Sequence, residues 1–143
     1  MRAKIILLYI VCIISTSCDP HMFDFDKCFW RIENNTDKYI VLNMFVGQNI
    51  DSRDIAAGEY ISIQTVLFSL GDGIPFEYAL ENKDSITIAV NGQPIKKIWR
   101  KSDLDKSGRH FFNQSSWTLY TTPRHDSFEN YIFTFTIENE DLN

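Results

Sequence analysis

The segment Asp103 to Gln114, DLDKSGRHFFNQ, has residue types and spacing close to those of a calcium loop. With Asp103 as position one, Asp105 falls at three, Ser107 at five, Gly108 at six and Gln114 at twelve. A hard cation takes oxygen ligands from alternate residues and needs a glycine where the chain turns sharply. Gln114 cannot give the bidentate carboxylate usual at position twelve, and His110 stands where an aliphatic residue is preferred. The flanks read as strands rather than helices. Asp, Ser and Gly also suit a polar loop between strands, for purely local turn reasons.

The three histidines, His21, His110 and His125, have no partner two or four residues away. A zinc site would therefore have to be assembled by folding. The chain has no G-x-S-x-G and no H-E-x-x-H, and Gly71-Asp72-Gly73 is a turn without the Lys-Ser/Thr of a phosphate cradle. Its acids are scattered, so no spacing marks a pair for glycoside hydrolysis. The expectation is a protein without a cofactor that is not an enzyme. The flat rings of Trp30, Trp99 and Trp117 could stack on sugars. Trp30 and Trp117 lie in phase with apolar neighbours and are expected in the core. Trp99, between Ile98 and Arg100 at a strand end, is also read as core, and it is the one of the three that could instead be an exposed, ligand-contacting ring.

The elements that would position these residues are strands. KYIVLNMFV is apolar at nearly every position, as a strand covered on both faces would be. YISIQTVLF, SITIAVN and YIFTFTI alternate with period two. SWTLYTT reads as a strand with Trp117 and Leu119 facing together, and FEYALEN as either a strand or one helical turn. Asn34 to Asp37 is a turn cluster, GQNIDSRDIAAGEY a loop, and Asn91-Gly92 the strongest hairpin signal. Pro94 suits an edge or a strand start. No long stretch carries a 3.6-residue stripe. The expected fold is all-β: an antiparallel β-sandwich of about seven strands, loosely immunoglobulin-like, with a small β-barrel as the alternative.

At the N-terminus, Arg2 and Lys4 precede the apolar run Ile5 to Ile14, which is far short of the ~20 residues that span a bilayer. The small residues Ser15, Thr16 and Ser17 follow, then Cys18. This arrangement resembles a bacterial lipoprotein signal, departing from it at Ser15, where an aliphatic residue is usual. The resemblance implies cleavage before Cys18 and lipidation of its sulfur. The expected organisation is a signal over 1–17, a tether over 18–27 and one β-domain over 28–143. An ordinary secretory signal would instead leave Cys18 free to pair with Cys28. Without acylation or pairing, Cys28 reads as a small apolar residue at a strand edge. Losing Arg2 and Lys4 shifts the formal charge from −5 to −7. That balance argues against a nucleic-acid partner and against electrostatic docking on anionic lipid.

HFFNQSSWTLY and YIFTFTIENEDL are similar to stretches of small lipoproteins of Bacteroidota, which often carry F-N-x-S-x-W and end in Y-T-F-T-I-x-x-E-D-L. The matching residues are Phe112, Asn113, Ser115, Trp117 and Tyr131 to Leu142. The likeness implies an envelope location, anchored by lipid and most simply in the outer membrane, and no activity. In such a protein the sequons Asn34-Asn35-Thr36 and Asn113-Gln114-Ser115 have no default meaning. A binding or accessory module with a glycan or protein partner is the first expectation. It predicts an exposed aromatic or apolar patch. A fimbrial or structural subunit would show an open edge strand, and a small hydrolase a cleft with a paired acid and base.

Overall fold

The computed structural model describes residues 25–68, 73–74, 76–104, 108–123 and 129–143. The signal, Cys18, His21, Asp105, Ser107 and His125 lie outside them.

Among the described residues eight strands form two sheets. They are β1 (Asp26–Asn34), β2 (Ile40–Val46), β3 (Asn49–Ile55), β4 (Tyr60–Phe68), β5 (Ser85–Val90), β6 (Ile95–Arg100), β7 (Thr118–Pro123) and β8 (Glu129–Ile137). The first sheet has the order β4-β1-β8-β7 and the second β3-β2-β5-β6. The two pack face to face as an open sandwich, not a barrel. Every pairing is antiparallel except β1 with β8, the two strands nearest the chain ends. That parallel pair is separated by six intervening strands, ample for the crossover it requires. It is tied at its start by Asp26, whose Oδ1 accepts the Glu129 amide at 2.8 Å. Asp26 is buried, so the domain begins inside what reads as tether.

Strand β3 is the unexpected one. Only its last residue, Ile55, is buried. An edge strand held by backbone pairing leaves no hydrophobic period to read, and its hairpin to β2 is the two-residue turn Gly47-Gln48, with Gly47 at φ +56°. The Asn91-Gly92 turn forms as expected: the Gln93 amide donates to the Val90 carbonyl at 2.9 Å and Gly92 has φ +75°. FEYA is a 3₁₀ helix, Phe76–Ala79.

The inner faces follow the period-two alternation of Trp30 and Ile32 in β1, Ile40, Leu42 and Met44 in β2, Ile86 and Ile88 in β5, and Phe133, Phe135 and Ile137 in β8. The outer side of β2 is half-buried rather than covered. Strand β7 is exposed throughout. Trp117 reaches the core from just before it, and Leu119, opposite the buried Phe133, lies on the same side but stays 40% exposed at the sheet edge. Phe111, in what reads as a loop, fills the centre of an aromatic cluster, with ring centroids 4.9 Å from Trp117 and 4.7 Å from Phe135. Cys28 is a free thiol packed in this core, with burial raising its pKa to about 12.

Candidate functional site

The structure places Trp99 in the core and overturns it as a ligand-contacting candidate. It is 2% exposed, packed edge-on against Phe135 at 5.3 Å and beside Phe111 at 5.8 Å. Its register partner is Ile86, an inward residue of β5. Ile98 lies outside by simple alternation with Trp99, and the irregularity between Ile88 and Ala89 in the β5–β6 pairing leaves Ile95 outside as well. The large ring fills the core, and its faces are not open to a sugar.

The calcium-like residues that are described stand on separate local elements. Asp103 ends the 3₁₀ helix Lys101–Asp103, its Oδ2 3.9 Å from Arg100 Nη1. Gln114 is exposed at the start of the 3₁₀ helix Gln114–Ser116. Between them His110, Phe111 and Phe112 are buried, which binds the segment to the core. Among the described residues no cluster of three His, Cys, Asp or Glu side chains gathers to hold a metal ion.

Both sequon-like triplets are local turn chemistry. Asn113 Oδ1 accepts from the Ser115 amide at 3.0 Å and hydroxyl at 2.8 Å, capping the 3₁₀ helix. Asn34 Oδ1 accepts likewise from the Thr36 amide and hydroxyl. Asparagine with Ser or Thr two residues on is the composition of a side-chain-closed turn.

Among the described residues a groove of about 390 Å³ lies on the outer face of the β4-β1-β8-β7 sheet. Sheet pairing assembles it. On β1, the inward set Cys28, Trp30 and Ile32 forces Phe29, Arg31 and Glu33 outward. Register sets Tyr60 of β4 beside Glu33, and Tyr120 of β7 beside Ile132 of β8. Thr122 and Thr134 add hydroxyls to the lining. Tyr60 and Tyr120 stand on opposite edge strands and are 57% and 55% exposed. The Arg31 guanidinium lies 4.6 Å from the Tyr60 ring centroid and 6.0 Å from that of Phe29. Such contacts hold a cation through the ring face.

This groove falls within the ~300–1,000 Å³ range of small-ligand sites. Its lining holds one carboxylate, Glu33, and no histidine or cysteine, so it lacks the paired groups of acid–base hydrolysis. A smaller hollow, about 120 Å³, lies between Phe76, Leu80, Lys101 and Phe112. None of the groove residues stands out in the sequence by motif. The available signal was the alternation of β1, which places a cation on its outward side. No protein-family model matches the chain, and no match is found among curated proteins or solved structures.

Proposed function

We propose that this chain is a lipid-anchored binding module of the cell envelope, held through Cys18, with the outer face of the β4-β1-β8-β7 sheet as its contact surface. The observation that carries the reading is the groove between Tyr60 and Tyr120. Two large rings stand more than half exposed there, on a sheet whose central strands β1 and β8 turn their other face into the core. Two measurements test it. Intact mass and acyl labelling in a Gram-negative host should give a chain cut before Cys18 and carrying lipid, and Cys18→Ala should abolish both. A photo-reactive residue at position 120 should cross-link an envelope component, while the same residue at position 98, on the other sheet, should not. Equal labelling from both positions removes the groove from the proposal.

A second reading, assembly by strand addition, is favoured by one contrast between edges. Strand β3 carries Asp51, Arg53 and Asp54, and β6 carries Lys96 and Lys97, charges that discourage pairing with another chain. The nine residues of β4, YISIQTVLF, include no charge and no proline. If β4 is an assembly edge, Thr65→Lys should turn a self-associating chain into a monomer in analytical ultracentrifugation.

A further inference from the structure

We infer that the groove takes an acidic saccharide, docking the carboxylate of a uronic-acid unit on Arg31 while the sugar ring stacks on Tyr120. The inference rests on the groove being the binding surface and adds the class of its ligand.

The state of Arg31 carries it. Among the described residues Arg31 makes no ion pair and no hydrogen bond; its contacts are the rings of Tyr60 and Phe29. Stacking through the guanidinium face spends none of the N–H donors, which lie in the guanidinium plane. Nε is shut off from solvent without a partner, on a side chain that lines the groove and whose terminal nitrogens are not among the buried, unpartnered atoms. The side chain is thus held in place and half desolvated, with a two-pronged donor edge unused. That edge matches a carboxylate, which accepts two parallel bonds from a guanidinium.

The surroundings select a sugar acid over other carboxylates. Tyr120 offers an open ring for the apolar face of a pyranose, and the Thr122 and Thr134 hydroxyls line the same groove. Glu33 lies two residues from Arg31 on the same face, accepting weakly from Thr136 Oγ1 at 3.5 Å. Its free acceptor capacity suits sugar hydroxyls. The lining offers no deep apolar pocket of the kind that would read a peptide side chain. Charge is consistent with the assignment. The outward β1 residues Lys27, Arg31 and Glu33 bring two cations and one anion to this face, in a chain with 14 basic and 19 acidic residues.

The experiment is calorimetric titration of the full chain in detergent micelles with trigalacturonate, galactotriose and a tripeptide bearing a free carboxyl terminus. Trigalacturonate should bind at least tenfold more tightly than either of the others. Arg31→Gln should bring its affinity down to that of galactotriose, Arg31→Lys should retain only part of the preference, and Tyr120→Ala should weaken both sugars. Thermal melting of each variant separates lost binding from lost folding. Equal affinity for the two sugars, or a preference that survives Arg31→Gln in a folded protein, overturns the carboxylate assignment and leaves the groove as a neutral-sugar site. A tripeptide that binds as tightly as trigalacturonate overturns the saccharide assignment. No binding of any probe overturns the inference together with the groove reading beneath it.

Discussion

The side-chain amide of Asn34, the last residue of β1, donates to the carbonyl of Ile55, the last residue of β3, at 3.0 Å. The bond crosses from one sheet to the other. The same Nδ2 reaches the carbonyls of Lys38 at 2.7 Å and Ala56 at 3.1 Å, and Oδ1 receives the Thr36 amide and hydroxyl. One fully buried side chain therefore closes both connections that carry the chain between sheets at this end of the sandwich. Asn34→Ala removes all of these bonds; the Ala56 carbonyl keeps the Glu59 amide, and each buried group left without a partner costs roughly 1–3 kcal/mol. Equilibrium unfolding in urea should show a loss of about 2–4 kcal/mol with an unchanged dependence on denaturant. A loss below about 1 kcal/mol would mean that the loops are held by their backbone bonds alone.

How far the sequence led depends on how each residue earns its place. Strands whose inward residues are apolar, such as β1, β5 and β8, were legible because burial writes a period of two. Strand β3 was not, since all but Ile55 lie exposed and its pairing rests on the backbone and on polar contacts such as Ser52 Oγ to Asn43 Oδ1 at 2.6 Å. Phe111 and Phe112 read as loop because a core residue outside a regular element has no periodicity to betray it. Trp99 is less legible because it stands at a strand end between an outward isoleucine and an exposed arginine, and its inward position follows from its register with Ile86. The groove depends on which strands lie side by side. Tyr60, Arg31 and Tyr120 come from β4, β1 and β7, and only the strand order brings them together.

The three tryptophans are all buried but differ in one bond. Trp30 Nε1 donates to the Phe76 carbonyl at 3.1 Å and Trp117 Nε1 to the Phe111 carbonyl at 2.7 Å. Trp99 Nε1 is buried with no partner among the described residues. Replacement by phenylalanine removes ring volume at every site. At positions 30 and 117 it also strands a carbonyl, whereas at 99 it removes an unsatisfied donor. Trp99→Phe should therefore be milder than the other two by at least about 1 kcal/mol in thermal or urea unfolding. Equal losses at all three positions would mean that packing volume alone decides the cost.

Arg109 fastens the C-terminus. Its guanidinium pairs with Asp141 and lies 4.1 Å from the ring centroid of Phe135, while Asp141 Oδ2 also accepts the Glu138 amide at 3.1 Å. The Asp141 side chain is 6% exposed. Removing the cation leaves a nearly buried carboxylate without its partner, which costs about 3–5 kcal/mol in comparable pairs. Arg109→Gln should approach the lower end of that range. The double variant Arg109→Gln/Asp141→Asn should recover part of the loss, since no lone charge remains. Hydrogen exchange should locate the effect in the amides of residues 138–143. A single variant as stable as the parent would show the pair to be a surface contact.

Cys28 gives a test that depends on pH. Its thiol sits in the core, where burial raises its pKa from 9.0 to about 12. Below pH 9 the thiol is protonated in both folded and unfolded chains, and the contribution is fully present. Between pH 9 and 12 the unfolded chain releases this proton and the folded chain keeps it. Fewer protons on the unfolded state make stability fall as pH rises, with a limiting slope of about 1.4 kcal/mol per pH unit. Tyr39 and Tyr131, both raised, act in the same direction, and Lys83, lowered by burial, acts in the opposite one. The comparison of parent and Cys28→Ala cancels these shared terms and leaves a constant packing loss. The stability gap between the two proteins should therefore narrow steadily from pH 9 upward. The native thiol should also react with a disulfide reagent only at the rate of global unfolding, and at once in guanidinium. Rapid labelling of the native protein, or a gap that stays constant to pH 11, would place the thiol at the surface.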